Sequence, residues 1–226
     1  MPAGCTVAHQ LSLEESGISR FVNYFTEKTF YQYRSGQVVF REHEKASGVF
    51  CLLKGMAKVS RISGGKSVTL LLTMPGQLLG LDTCMNQASF SFSLTTMEPC
   101  TFCVVSKSQL LSAIKKDHAF AIMVMKLLRE EINRLENEFE RLHQQPVATR
   151  VAAIIYRLNE WFGNDGTGAI DLNLNLEEIA SLVRITESNL GKVLDEFKRR
   201  RYLVMPDNKI IVINQDALKR ESGFNT

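Results

Sequence analysis

The spacing of apolar and polar residues changes its period along the chain. Between residue 31 and about residue 106, short β-rich runs alternate with turn signals such as Lys54-Gly55 and Pro75-Gly76. The runs are VVF (38–40), VFCLL (49–53), AKVSRI (57–62), SVTLLL (67–72) and FSFSLTT (90–96). Strands at this spacing, with no helices between them, predict an antiparallel barrel or roll.

From Ala119 onwards, apolar residues recur at alternating four- and three-residue steps as far as Leu142. Such a seam, sustained over about three heptads, predicts one long helix over 119–145. The helix should end before Pro146, because proline disfavours a helical predecessor. The seam could pack within its own chain, but a parallel coiled coil with a second copy is favoured, so we expect a homodimer. The predicted dimer interface consists of Met125, Leu128, Ile132, Leu135, Phe139 and Leu142.

The remainder of the chain has the order of elements of a winged helix. An amphipathic helix over Val147–Phe162 is closed by a Gly-Asn-Asp-Gly turn. A short strand (169–172), two further helices, and a hairpin pairing 202–205 with 209–213 are predicted to follow.

The two helices within 174–199 carry the candidate chemistry. Asn175 can cap the first, and Thr186 can cap a second that begins near Glu187. The second helix has an apolar face made of Leu190, Val193, Leu194 and Phe197. Its outward residues are Glu187, Ser188, Asn189 and Lys192. In a helix-turn-helix these positions meet base edges and phosphates, whereas the alternative is an ordinary helical hairpin in a core.

Composition narrows the class of protein. No apolar run is long enough for a membrane helix and no signal-peptide pattern is present, so we expect no membrane partner. The odd number of scattered cysteines, five, favours free thiols and a reducing cytoplasm. Metal-spaced histidines, a nucleophile motif and a phosphate-cradling loop are all missing from the sequence, so we predict neither an enzyme nor a metal site.

Nearly the whole chain resembles the Crp/Fnr family of bacterial transcription regulators. The resemblance rests on SGQVVFREHEKASGVFCLLKGMAKV (35–59), on PGQLLG (75–80), on the seam helix, and on the segment from ATRVAAIIYRL (148–158) to the hairpin. It implies an α+β fold with a cyclic-nucleotide-binding-like β-roll sensor domain (1–118), a dimerisation helix (119–145) and a winged-helix DNA-binding domain (146–226).

The resemblance also implies a mode of action. A dimer would bind double-stranded DNA at a near-palindromic site, with one helix of each subunit in successive major grooves. A signal in the β-roll, transmitted through the long helix, would set the spacing of the DNA-binding domains. RNA polymerase is a candidate partner.

The residues that would form an effector pocket argue against cyclic AMP. By alignment with members that bind cyclic AMP, Leu81 replaces the ribose-binding glutamate and Phe90 replaces the phosphate-binding arginine. Those members also carry a threonine-serine pair on the long helix, and Leu135 takes the place of its threonine. Burying a phosphate without a cation costs several kcal/mol. The candidate pocket, if used, consists of Gly76, Leu79, Gly80, Leu81, Phe90, Ser91 and Leu135. Gly76 and Gly80 are better interpreted as structural turn residues.

Two alternatives for the signal stay open: an apolar, haem or redox effector, or no small-molecule effector. Oxygen-sensing members bind an iron–sulfur cluster through four cysteines, three of them near the N-terminus. This ligand set is missing from the sequence, because only Cys5 lies near the N-terminus. Candidate haem ligands, none fixed by a motif, are Pro2, His9, His43, Cys84, His118 and His143. Cys100 and Cys103 form a C-x-x-C whose side chains should point to opposite faces of a strand, and a redox role for them stays open.

The DNA-reading face departs from the family's usual pattern. Ser188 stands at the position of the common glutamate, Gly191 and Lys192 stand where a serine- or glycine-arginine pair is common, and Arg184 replaces a turn glycine. The docking mode should therefore carry over while the target sequence differs. The predicted DNA contacts are Arg150, Arg184, Thr186, Glu187, Ser188, Asn189, Lys192 and Lys209.

The net charge of the predicted winged helix leaves a role in protein assembly open as a competing function. Residues 146–226 contain 11 Lys or Arg and 11 Asp or Glu, so the segment is neutral. Binding to DNA would depend on a local basic strip, and a winged helix used for protein assembly is the alternative.

Overall fold

The computed structural model describes residues 17–86, 89–171 and 174–224. The chain divides into two compact units, the first ending at Leu135 and the second beginning at Glu136. This division falls inside the long helix α4 (His118–Gln144). None of the helices in these ranges is long and apolar enough to cross a membrane.

The first unit contains eight strands in the residues described: β1 (Thr29–Tyr33), β2 (Val38–Phe40), β3 (Gly48–Lys54), β4 (Ala57–Ser63), β5 (Lys66–Thr73), β6 (Leu78–Leu79), β7 (Ser93–Thr96) and β8 (Cys100–Ser106). They form two four-stranded antiparallel sheets, with strand orders β1-β8-β3-β6 and β2-β7-β4-β5. The helices of this unit are α1 (Gly17–Tyr24), α2 (Leu81–Met85), α3 (Lys107–Lys116) and most of α4. The predicted α+β class and the predicted strands near 38–40, 49–53, 57–62 and 67–72 are confirmed.

Three details of the predicted roll are wrong. The strand expected over 90–96 begins only at Ser93, because the Phe90 backbone is taken up by the neighbouring loop: its N–H donates to the Glu44 carbonyl over 2.9 Å. Helix α2 interrupts a region expected to contain strands alone. The strands β1 and β6 were not predicted, and β8 was expected only around Cys100 and Cys103, since the stability of these strands depends on pairing with distant strands rather than on an alternating pattern.

Helix α4 has one buried and one exposed apolar side. Phe120, Val124 and Leu127 are buried in the core of the first unit. Exposed apolar residues on the same helix are Ile122, Met125, Ile132, Leu135 and Phe139. The predicted long helix is therefore confirmed within a residue at each end.

The second unit continues with α5 (Val147–Phe162), α6 (Leu176–Val183), α7 (Glu187–Arg199), β9 (Leu203–Val204), β10 (Ile211–Val212) and α8 (Gln215–Glu221). Its core includes Val151, Ile155, Leu158, Ile179, Leu190 and Phe197. The predicted helix over Val147–Phe162 and the hairpin are confirmed, the hairpin with shorter strands. The strand expected over 169–172 is only an isolated bridge between Asn164 and Ile170, and part of it lies outside the described residues.

Candidate DNA interface and effector region

Helix α6 is built by its own N-terminal signals. The Glu178 N–H donates to the Asn175 side-chain oxygen over 2.8 Å, and the Asn175 N–H donates to the Glu178 carboxylate over 3.0 Å. This reciprocal capping satisfies two N–H groups that a helix leaves without intrahelical partners. The predicted cap at Asn175 is confirmed, and it sets where α6 begins.

The turn between α6 and α7 depends on a left-handed residue. Arg184 has φ 61° and ψ 49°, and its N–H donates to the carbonyls of Ala180 and Ser181. A residue with a side chain is strained in this conformation, which glycine adopts freely. The sequence-based observation that Arg184 occupies the place of a turn glycine therefore agrees with the backbone found here.

Helix α7 presents one packed and one solvent-facing side. The Thr186 hydroxyl accepts from the Asn189 N–H over 3.3 Å and caps the helix. Leu190, Leu194 and Phe197 are buried. Six of the predicted DNA contacts are exposed here, namely Arg184, Thr186, Glu187, Ser188, Asn189 and Lys192. The structure thus brings these six together on one surface at the N-terminal end of α7.

Arg150 and Lys209, the other two predicted contacts, are held by partners inside the second unit. The Arg150 guanidinium is half-buried and donates to the Val183 carbonyl over 2.8 Å, which ties α5 to the C-terminal end of α6. The Lys209 ammonium lies 3.0 Å from the Asp165 carboxylate. Arg150 thereby has a structural role in the second unit, whereas the Lys209 side chain is still 57% exposed beside Asp165.

Asp165 organises the loop that faces the hairpin. Its carboxylate accepts from the Thr167 N–H and hydroxyl and from the Ala169 N–H, at 2.8, 2.5 and 3.1 Å. These hydrogen bonds and Lys209 hold the pKa of Asp165 below its usual range. A groove of about 390 Å³ beside this loop is lined by Asp165, Asp171, Glu187, Asn208 and Lys209, among others. Its carboxylates make it a poor surface for phosphate.

The basic run Lys198-Arg199-Arg200-Arg201, at the C-terminal end of α7, is also partly neutralised within the chain. Lys198 pairs with Asp195 at 2.6 Å, and Arg200 pairs with Glu196 and with Glu221. These ion pairs follow helical i,i+3 and i,i+4 spacing for two of the three. The positive charges of Lys198 and Arg200 are therefore offset by carboxylates of the same chain.

Phe90, a residue of the predicted effector pocket, packs against other aromatic side chains of the first unit. Phe90 is 2% exposed, and its ring stacks on Phe40 with centroids 3.9 Å apart and planes 16° from parallel. Phe50 packs against both rings, at centroid distances of 5.1 Å from Phe40 and 6.2 Å from Phe90. An arginine-phosphate contact has no counterpart at this position, so these residues do not fit a cyclic nucleotide.

The other predicted pocket residues are turn formers, apolar side chains or surface groups. Gly76 and Gly80 have φ 89° and 80°, and a Cβ on Gly80 would lie 2.8 Å from the Phe90 ring. Leu79 and Leu81 are buried, whereas Ser91 is exposed. Leu135 is 48% exposed on α4. The positive φ of both glycines, and the nearby ring at Gly80, therefore explain why glycine occupies these two positions.

Of the candidate haem ligands that the structure describes, three are exposed histidines and one is a buried thiol. His43, His118 and His143 are all exposed. Cys84 is buried, and its burial raises the pKa of the thiol to about 11, so it is protonated near neutral pH. Pro2 and His9 lie outside the described residues. Within residues 17–86, 89–171 and 174–224, no group of three or more His, Cys, Asp or Glu side chains is placed to hold a metal ion.

The cysteines of the C-x-x-C run are separate buried thiols. Cys100 donates its S–H to the Met56 carbonyl over 3.2 Å, while Cys103 is the cross-strand partner of Cys51. Burial raises the pKa of Cys51 and Cys100 to about 12. A protonated thiol is a weak nucleophile, so the surroundings disfavour redox reactivity.

One apolar residue of the long helix was missed by the seam pattern. Ile122 is 50% exposed and lies one turn before Met125, so it extends the exposed apolar strip of α4. Leu128, by contrast, is partly buried against the core of the first unit. The i,i+3 spacing between Ile122 and Met125 could have identified Ile122 from the sequence. The seam pattern missed it because the seam runs through Ala121 at that turn.

Comparisons with known proteins match both units. A family described as cyclic nucleotide-binding domain matches residues 30–117, and one described as Crp-like helix-turn-helix domain matches residues 149–221. A CRP-like cAMP-activated global transcriptional regulator of Mycobacterium tuberculosis is 23% identical over 190 residues, covering 83% of this chain and 85% of that protein.

Further similar proteins have other described roles. An anaerobic regulatory protein of Aggregatibacter actinomycetemcomitans is 24% identical over 195 residues, covering 85% of this chain and 76% of the relative. The crystal structure of a CRP/FNR-family transcriptional regulator from Thermus thermophilus superposes with a TM-score of 0.70 at 18% identity, covering 86% of this chain and 98% of that one.

Proposed function

The chain belongs to the Crp/Fnr family of transcription regulators, and we propose that it binds a near-palindromic DNA site as a homodimer through helix α7. The observation that carries this proposal is the row of exposed polar residues at the N-terminal end of α7, opposite its buried apolar face. A recognition helix requires this arrangement, whereas a core hairpin would cover both faces.

The side chains of α7 indicate how DNA would be read. Lys192 would contact a phosphate or a guanine, and Asn189 can pair with adenine. Ser188 is a short group that both donates and accepts, so it suits several bases. Glu187 would accept from a cytosine amino group or, as the alternative, stabilise the positive end of the helix dipole.

Dimerisation would use the exposed apolar strip of α4. Met125, Ile132, Leu135 and Phe139 are between 48% and 64% exposed in the single chain. Large apolar side chains repeated along one helix favour burial against an equivalent helix. Leu142 is half-buried, and Leu128 contributes partly to the core of its own unit.

The test of DNA recognition is selection from random-sequence duplexes followed by footprinting and a salt series. We expect two protected half-sites about 10 base pairs apart and an affinity that falls steeply with salt. Ser188→Ala and Lys192→Ala should each weaken specific binding by about 1–3 kcal/mol. Unchanged affinity in both variants would refute this placement of α7, and a flat salt response would favour a protein-assembly role.

We further propose that the first unit does not respond to cyclic AMP and has a self-packed interior. The stacking of Phe90 on Phe40 supports this proposal, because Phe90 aligns with the arginine that would neutralise the phosphate and is packed in the core instead. Cyclic AMP at millimolar concentration should leave the unfolding temperature and the DNA affinity unchanged. A thermal shift would contradict the proposal, and a Soret band in freshly purified protein would favour a haem effector instead.

A further inference from the structure

The hairpin of the second unit, made of β9 and β10, has apolar residues on its outer side. Leu203 is fully buried, so its neighbours along the strand lie on the opposite, solvent-facing side. Val204 is 40% exposed and pairs across the hairpin with Ile211. Ile213, two residues after Ile211, lies on the same side and is 51% exposed. Val204, Ile211 and Ile213 therefore form a small apolar surface.

Positive charge is concentrated next to this apolar surface. The segments 195–204 and 217–224 contain six cations and three carboxylates, which gives a net charge of +3. The cations are Lys198, Arg199, Arg200, Arg201, Lys219 and Arg220, and the carboxylates are Asp195, Glu196 and Glu221. The ion pair between Arg200 and Glu221, at 3.3 Å, joins the two segments. Because residues 146–226 are neutral in sum, this part of the unit holds an excess of positive charge.

Arg201 connects the cations to the apolar residues. The Tyr202 carbonyl accepts from the Ile213 N–H over 3.0 Å, and Arg201 directly precedes Tyr202. Arg201 and Arg199 are both exposed, and neither forms an ion pair with any residue that the structure describes. A carboxylate from outside the chain can therefore pair with these two guanidinium groups without displacing an internal partner. We call Val204, Ile211 and Ile213 with Arg199 and Arg201 the basic hairpin surface.

The two arginines lie far from the residues that would read DNA. Glu187 is the first residue of α7 and Arg199 is the last, and 12 steps of 1.5 Å place these ends about 18 Å apart. A partner held by Arg199 would therefore leave Ser188, Asn189 and Lys192 accessible. The basic hairpin surface and the exposed row of α7 can be occupied at the same time.

The combination of charge and apolar side chains indicates the kind of partner. Arginine pairs with carboxylates through two parallel hydrogen bonds, and a local excess of positive charge attracts acidic groups. Val204 and Ile213 are stabilised only when apolar groups cover them, which the phosphates of a DNA backbone do not do. An acidic protein segment that also carries large apolar side chains satisfies both requirements.

We propose that the basic hairpin surface binds an acidic, apolar segment of another protein, and that it does so while α7 is on DNA. This gives the chain a protein contact separate from the exposed strip of α4. The inference does not depend on which DNA sequence α7 recognises, because Arg199 and Arg201 lie at the other end of that helix.

The test measures the binding of fluorescein-labelled peptides of equal length to the full-length protein by fluorescence anisotropy. One peptide repeats Glu-Glu-Leu, a second repeats Glu-Glu-Ser and lacks apolar side chains, and a third repeats Lys-Lys-Leu and reverses the charge. Arg201→Asn removes a cation but keeps a residue that tolerates the φ of 57° at this position. Val204→Thr combined with Ile213→Thr makes the apolar part polar and keeps β-branched side chains.

Matched controls change the same kinds of side chain in the first unit. Lys115→Asn removes an exposed cation from α3, and Ile62→Thr replaces an exposed apolar residue of β4. Unfolding followed through Trp161, the single tryptophan of the chain, verifies that each variant is folded. A duplex of scrambled sequence, added at saturation, tests whether DNA competes with the peptide.

The Glu-Glu-Leu peptide should bind wild-type protein at least about tenfold more tightly than either of the other two peptides. Arg201→Asn should weaken its binding about threefold or more, and the double threonine variant should lower its affinity to that of Glu-Glu-Ser. Both control variants should keep the wild-type affinity within about twofold. The scrambled duplex should leave the peptide bound.

Four results would overturn the proposal. The Glu-Glu-Leu peptide does not bind, or the variants and their controls lose affinity equally. The duplex displaces the peptide and Arg201→Asn weakens duplex binding, which assigns this surface to DNA. The double threonine variant dissociates an oligomer of the wild-type protein, which assigns the surface to a second copy of the chain. If the peptide binds as expected but wild-type protein selects no DNA sequence, only the proposed DNA recognition fails.

Discussion

Phe90 stacks on Phe40 at a centroid distance of 3.9 Å and is held there by a backbone that pairs with the loop at residues 43–44. The Phe90 carbonyl accepts from the His43 N–H over 2.8 Å, and its own N–H donates to the Glu44 carbonyl. The residue aligned with a ligand-binding arginine is thus fixed as part of the core. Phe90 therefore contributes to the hydrophobic core of the first unit.

Replacing this ring should therefore affect stability first. Phe90→Ala should lower the free energy of unfolding of the first unit by about 3–5 kcal/mol, because it removes a buried aromatic side chain and leaves a cavity. Urea denaturation followed by circular dichroism measures the change. Phe92→Ala is the matched control and should cost less, since Phe92 is only partly buried. Equal losses for the two variants would contradict a core role specific to Phe90.

A charge in the exposed strip of α4 should break the dimer. Phe139→Glu places a carboxylate where the proposed interface would bury it, and the dimer dissociation constant should rise at least about 30-fold. Sedimentation velocity over a concentration series checks this. Asn137→Glu adds the same charge to an exposed position about half a turn away and should leave the dimer intact. Dimers of unchanged strength in Phe139→Glu would place the interface elsewhere.

Arg184 should show opposite effects on stability and on DNA binding. Arg184→Gly relieves a left-handed residue and should raise the free energy of unfolding by up to about 1 kcal/mol. If the guanidinium contacts a phosphate, the same change should weaken DNA binding about three- to tenfold and reduce the salt slope by about one.

The control for Arg184 separates charge from backbone conformation. Arg184→Asn retains a residue that tolerates the left-handed region but removes the positive charge. It should reproduce the loss of DNA affinity. A salt slope that stays at the wild-type value in both variants would show that Arg184 serves only the turn.

The carboxylate of Asp165 should make the second unit sensitive to acid. Its pKa is lowered in the folded chain, so its stabilising effect is present above the pKa of an unfolded aspartate, about 3.9, and is lost as the pH falls towards the folded value. Asp165→Asn should be less stable than wild type at pH 7, and the difference should shrink below about pH 4. Thermal unfolding followed through Trp161 between pH 3 and 7 measures it.

The same variant tests whether Lys209 is withheld from DNA. Without its ion pair to Asp165, Lys209 is free to contact phosphate, so affinity for scrambled duplex should rise at low salt. The double variant Asp165→Asn with Lys209→Ala should remove that rise. A rise that persists in the double variant would locate the added affinity elsewhere.

Several elements follow from short-range sequence signals alone. Asn175 and Thr186 cap α6 and α7 where a side-chain acceptor precedes an apolar period, and Pro146 ends α4. The exposed row on α7 follows from helical geometry once its apolar face is recognised. Such features depend on residues within a few positions of one another, so one sequence is sufficient to predict them.

The roles of the remaining residues depend on contacts between distant parts of the chain. Arg150 meets the Val183 carbonyl 33 residues away, and Lys209 meets Asp165 44 residues away, so both cations have partners within the chain that no local pattern predicts. The sequence by itself determined helices α4 to α7, the caps at Asn175 and Thr186, and the family to which they point. Only the tertiary structure decided which cations have partners within the chain and that Phe90 is buried, because long-range pairing and packing leave no local pattern.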